Sequence, residues 1–211
     1  MRYLFLLFLF FSCSDAEHTN HTTDSERTDS LQDKKDSTVQ IEKHLRIVPG
    51  TSIGKITIGA SAANLEEMLG PPALSDAAMG KAWITWKGKR DEHNNQTELN
   101  IFTSYRDEKM DEKIVRLIRT TSQEFSTPDN IHVYASLEQI KKQFQDVEPT
   151  LRYQHQDKRY ITIYEAKQQG IAFELSNAGQ QQICIGIIIY EKGSNLAEIY
   201  RTLQPGLKTS F

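Results

Sequence analysis

Two cysteines, Cys13 and Cys184, stand in settings that predict different chemistry. Cys13 follows an unbroken apolar run, Tyr3-Leu4-Phe5-Leu6-Leu7-Phe8-Leu9-Phe10-Phe11, behind the positive charge of Arg2, with small Ser12 in between. The run fits the ~7–15-residue core of a secretory signal. It falls short of the ~20 apolar residues that span a bilayer as a helix. Cys184 instead lies within Ile183-Cys184-Ile185-Gly186-Ile187-Ile188-Ile189, with no basic residue beside it. Nothing there would lower its pKa, so it is expected to act as a small buried hydrophobe. Beyond residue 13 the chain has no second cysteine, so Cys184 has no disulfide partner within the domain, which must be stabilised by its own core.

Other reactive patterns are missing. The chain has no His-Glu-x-x-His, Gly-x-Ser-x-Gly, Walker glycine loop or Cys-x-x-Cys. His44, His93, His132 and His155 are scattered, and no carboxylate pair stands out as an acid/base dyad. A non-enzyme without metal or cofactor is therefore expected. The formal net charge is −3, and one more negative if Arg2 leaves with the signal. That balance argues against nucleic acid as a partner, since nucleic-acid binders carry basic patches.

Around Cys13 the segment resembles a bacterial lipobox. It departs from the usual pattern at Phe10, where Leu is typical, and at Phe11, where a small residue is typical. The resemblance implies a signal over residues 1–12, cleavage before Cys13, and anchoring to a lipid bilayer by acyl chains on Cys13. The location implied is the bacterial cell envelope, at the outer membrane in a Gram-negative cell. Residues 13–44 are rich in Ser, Thr, Asp and Lys with almost no apolar side chains, the composition of a disordered tether. Hydrophobic residues make up 38% of the chain, and the tether accounts for the shortfall from an ordinary globular composition.

The elements that position any site must come from residues 45–211. Ile58-Gly59-Ala60-Ser61 precedes Leu65, Met68 and Leu69 at helical spacing; Val133-Tyr134-Ala135-Ser136 precedes Leu137, Ile140 and Phe144. Each serine is placed to cap its helix, and Ser136 with Gln139 fits a capping box. Gly70-Pro71-Pro72 is a stop signal for the first helix. Strand-like runs then follow in parallel. Trp83-Ile84-Thr85-Trp86 aligns with Tyr160-Ile161-Thr162-Ile163; Leu99–Phe102 aligns with Ile171–Glu174; Ile114–Ile118 aligns with Ile183–Ile189. A last helix is expected over Leu196–Leu203. The pattern predicts an α+β fold of two tandem units, about 45–122 and 123–203. Each would be a helix followed by three antiparallel strands, sharing one curved sheet with the helices on one face.

Gly59-Ala60-Ser61, Leu65 and Met68-Leu69-Gly70-Pro71-Pro72 resemble the opening of envelope lipoproteins of the SmpA/OmlA type. The tandem arrangement resembles the β-lactamase inhibitor protein architecture. The resemblance implies a protein-interaction module of assembly, scaffold or inhibitor type, with an envelope protein as partner. Strand alternation sets Ile84, Trp86, Ile161 and Ile163 under the helices and leaves Trp83, Phe102, Tyr160 and Tyr164 as candidate partner-binding residues. Aromatic rings of this kind dominate binding hot spots; the competing reading is that another element covers them. The alternative function is a small-ligand binder or enzyme using the concave sheet face.

Overall fold

The structure, a computed structural model, describes residues 42–209, so the predicted signal, Cys13 and nearly all of the tether lie outside the described residues. The described residues all fall in one compact unit. It opens with β1 (Ile47–Val48), β2 (Ser52–Ile53) and β3 (Ile56–Thr57), a small antiparallel sheet, and then α1 (Leu65–Leu69). Four strands follow: β4 (Leu74–Ala78), β5 (Lys81–Arg90), β6 (Gln96–Tyr105) and β7 (Lys113–Thr120). Then come α2 (Leu137–Gln143), β8 (Glu148–Gln154), β9 (Tyr160–Ala166), β10 (Ile171–Ala178) and β11 (Gln181–Tyr190). The chain closes with α3 (Leu196–Tyr200) and β12 (Lys208–Thr209). The large sheet has nine antiparallel strands in the order β12-β8-β9-β10-β11-β7-β6-β5-β4.

This corrects the expected α+β class. The protein is mostly β, its three α-helices run to only five, seven and five residues, and four strands, not three, follow each of the first two helices. The physical reason is local. Leu65, Met68 and Leu69 mark little more than one helical turn, and Met68 is half exposed. Gly70 ends the helix at φ +79°, its N–H donating to Glu66 O at 2.9 Å. Asn64 rather than Ser61 takes the N-cap position there. At α2 the expected capping box of Ser136 and Gln139 is present in both directions. The extra strand after each helix, β4 and β8, has few large apolar side chains because it lies at or near an edge of the sheet.

The helices are not all on one face. Leu65 of α1, Ile140 of α2 and Ile47, Ile53 and Ile56 of the small sheet pack with Trp86, Ile101, Val115, Ile118, Phe173 and Ile187 on one side. Leu196 and Tyr200 of α3 pack with Trp83, Phe102, Leu117, Ile163, Ile188 and Tyr190 on the other. Burial of both faces explains why Ile171–Leu175 of β10 and Ile183–Tyr190 of β11 read as nearly continuous apolar runs, as fully covered strands do. It also splits the aligned strands. Ile84 packs on the α1/α2 side, whereas Ile161 and Ile163 face α3. The alignment was one residue out of register, and a one-residue slip in a strand exchanges its faces.

A polar groove at the parting of the sheet

Between β7 and β11 the large sheet comes apart. The two strands pair only over Leu117–Thr120 and Ile187–Tyr190. The remainder of β11 pairs with the segment before α2: Tyr134 N–H donates to Cys184 O at 2.8 Å, and Cys184 N–H donates to Ala135 O at 2.9 Å. Gly59 N–H and Val115 N–H make the same pair of contacts before α1, to Val115 O and Ala60 O at 2.8 and 2.9 Å. Gly59 has φ +81°, in the left-handed region that suits glycine; Tyr134, 75 residues later, has φ +79°. A bulky side chain held there stores strain on the order of 1–3 kcal/mol. The parting forms a groove of about 580 Å³, lined among others by Glu98, Arg119, Tyr134, Tyr153, His155 and Arg159.

Arg119, which lines the groove, makes an ion pair with a buried carboxylate behind it. Glu174 is fully buried in β10, and Arg119 of β7 reaches its Oε2 with Nη2 at 2.6 Å and Nε at 2.9 Å. Tyr153 Oη donates to Glu174 Oε1 at 2.8 Å, and the Tyr200 hydroxyl from α3 donates to the same oxygen. Arg119 Nη1 donates to Asn100 Oδ1 at 2.7 Å, and Asn100 Nδ2 to Thr85 Oγ1 at 3.0 Å. The polar row thus runs from β5 to β10, and each Glu174 oxygen accepts two hydrogen bonds or ion-pair contacts. Burial pushes the Glu174 carboxyl up, but the Arg119 charge and the hydrogen bonds outweigh burial and hold it below the usual glutamate range. The Tyr153 and Tyr200 hydroxyls are pushed upward, by burial first and then by the Glu174 charge.

Glu174 fits because its cross-strand neighbour is Gly186. A Cβ there would meet Glu174 Oε2 at 2.3 Å. The carboxylate is pinned by three partners and cannot swing aside, so Gly186→Ala is expected to cost about 1–3 kcal/mol by overpacking. Urea unfolding of the variant against wild type measures this.

At the rim, the Tyr134 hydroxyl donates to Asp91, Asn95 Nδ2 donates to Tyr134 Oη at 3.1 Å, and the His93 ring stands edge-on to Tyr134 at 4.7 Å. The hydrogen bond from Tyr134 lowers the Asp91 pKa, while burial and then the bond to Asp91 raise that of Tyr134. On the opposite rim Arg159 holds Asp157 at 2.6 Å and donates to Ser176 Oγ at 3.3 Å. Two of the scattered histidines, His93 and His155, therefore meet in one groove.

The four aromatic candidates are not brought together on an open face. Trp83 and Phe102 are buried beneath α3, and Trp83 Nε1 donates to Thr202 Oγ1 at 2.6 Å. Tyr164 is buried in the opposite core with its hydroxyl donating to Gln182 Oε1 at 2.9 Å. Tyr160 alone is open, 53% exposed, with the Arg152 guanidinium 4.1 Å above its ring. The physical reason is the register slip together with the position of α3. Cys184 is fully buried, and burial pushes its thiol up to about 12, which removes it as a nucleophile near neutral pH. The groove residues went unseen in the sequence, although a signal existed: Glu174 interrupts Ile171-Ala172-Phe173-Glu174-Leu175. A lone acid in a doubly buried strand requires a cation from another apolar strand.

Comparison with family models, with curated proteins and with solved structures finds no match to this chain.

Proposed function

We propose that the chain is a lipid-anchored, non-enzymatic interaction module of the bacterial cell envelope, and that the groove is where it receives a protein partner. The observation that carries this reading is Tyr134. Its backbone stands where glycine would relieve the strain, and its ring is spent on the groove's rim. Strain of this kind persists where function needs a side chain in one place. Around it the charges are already neutralised within the protein, Arg119 by Glu174 and Arg159 by Asp157. That supports a preformed recognition surface more than a reacting centre. The Cys13 segment, which resembles a bacterial lipobox, supports the anchor and the envelope setting.

A second reading, a small polar ligand in the groove, is favoured by its volume. About 580 Å³ falls within the usual range for ligand pockets. One experiment separates the two. A photo-crosslinking residue is placed at Asn95 or Asn177 on the groove and, as a control, at Glu67 on α1, in intact cells. The expected result is a discrete protein adduct from the groove positions only. Tyr134→Gly is expected to abolish that adduct while changing folding stability by less than about 1 kcal/mol, lost packing and relieved strain being of similar size. An adduct unaffected by Tyr134→Gly, or equal from Glu67, would overturn the groove assignment. A groove that yields no protein adduct would favour the small ligand.

A further inference from the structure

The two edges of the large sheet are finished differently. At one end β8 is covered by β12, which pairs Lys208 and Thr209 with Arg152 and Leu151. At the other, β4 pairs with β5 only, and no described strand lies outside it. All five of its residues are exposed. An open edge offers a row of backbone N–H and C=O groups to any extended chain laid beside it. Two further features say what kind of chain would fit.

The first is a hollow of about 270 Å³ beside the edge, on the α3 side of the sheet, lined by Asp76, Ala78, Met79, Ala82, Trp83 and Phe102. Leu74 and Met79 stand 60% and 100% exposed at the two ends of the strand. An added strand would carry every second side chain over this hollow and would cover both exposed apolar ends. The second feature is charge. Asp76, in the middle of β4, makes no ion pair among the described residues. A second copy pairing edge to edge about the strand's centre would set Asp76 against Asp76, a repulsive cross-strand pair. A strand with a cation at that place gains an attractive one.

We propose that the outer edge of β4 receives an extended segment of a partner protein, with a lysine or arginine opposite Asp76 and an apolar side chain beside Trp83 and Phe102. This surface lies away from the groove and stands whether or not the groove assignment does. Main-chain hydrogen bonds supply the affinity, and the hollow and Asp76 supply the selectivity.

The test uses the full chain in detergent micelles and a synthetic decapeptide, Ser-Val-Ser-Lys-Ser-Val-Ser-Lys-Ser-Val, which sets valine and lysine on one strand face, as Asp76 and Trp83 share one face of the sheet. Amide hydrogen exchange across residues 74–78 is the readout. Roughly tenfold slowing is expected with the peptide, and none with a peptide N-methylated at alternate nitrogens, which lacks the strand's donors. Asp76→Lys is expected to weaken binding roughly tenfold and to transfer preference to a valine–glutamate peptide. Tyr134→Gly should leave all of this unchanged, so failure here and failure of the groove reading are told apart. No protection at residues 74–78, or equal binding by Asp76→Lys, would overturn the proposal. So would protection already present without peptide that disappears on dilution or on deleting residues 14–40, since the edge would then be filled by a second copy or from within the chain.

Discussion

Glu174→Gln is expected to lower folding stability by about 3–5 kcal/mol, because it leaves the Arg119 guanidinium buried without its counter-charge. The remaining contacts cannot compensate. Arg119 Nη1 keeps Asn100 at 2.7 Å, but Glu98 is 3.8 Å away and partly solvated. The two tyrosine hydroxyls that now donate to a carboxylate would donate to a weaker amide oxygen. Urea unfolding at pH 7 measures the loss. The double variant Arg119→Met with Glu174→Leu is expected to lose less than the sum of the two single changes, since neither charge is then left buried alone, although the Tyr153 and Tyr200 hydroxyls lose their acceptor. Additive losses in the double variant would show that the pair is not coupled. The pH dependence follows from the same site. The Glu174 carboxyl is depressed in the folded state, so its contribution is complete above the unfolded glutamate value, near 4.3. It is lost as the pH falls through the folded value. Wild type should therefore weaken from about pH 4 downward, and Glu174→Gln should flatten that part of the profile. At the alkaline end the signs reverse. Tyr153 and Tyr200 have raised values, so their contribution is complete below about pH 10 and declines above it.

Cys13→Ala is expected to move the protein from the membrane fraction to the soluble fraction almost completely. A single acyl chain holds a protein to a bilayer only marginally, at about 10⁴ M⁻¹. On the proposed anchoring, several chains on one cysteine would make release negligible, so removing that cysteine is expected to be close to an all-or-none change. Fractionation of cells expressing the two forms, with a fatty-acid analogue as label, reads both attachment and location. Equal labelling, or equal sedimentation with membranes, would overturn the anchor. Because Phe10 and Phe11 depart from the usual lipobox, the same gel should show whether processing of the wild-type chain is complete.

Different parts of the chain were legible to different degrees. Six of the strands in the large sheet were visible as β-rich runs, and the capping box at Ser136 was visible from residue types alone, because both signals are local. The edge strand β4 was not, since Leu74-Ser75-Asp76-Ala77-Ala78 has no buried side chain to impose alternation. The aromatic surface read from Trp83, Phe102, Tyr160 and Tyr164 dissolved for a different reason. Strand alternation identifies two faces but not what covers each, and α3, placed by a turn after β11, closed over Trp83 and Phe102.

The sequence by itself determined the apolar run before Cys13, the polar stretch after it, the capping box that starts α2 and most of the strands, all of which depend on residues within one or two turns of each other. Only the tertiary structure decided which side of each strand is covered, where the sheet parts between β7 and β11, and that Arg119 meets Glu174. Those outcomes depend on pairing between residues far apart in the chain, 55 positions for Arg119 and Glu174. There a register slip of one residue exchanges the two faces, and no local preference distinguishes the alternatives.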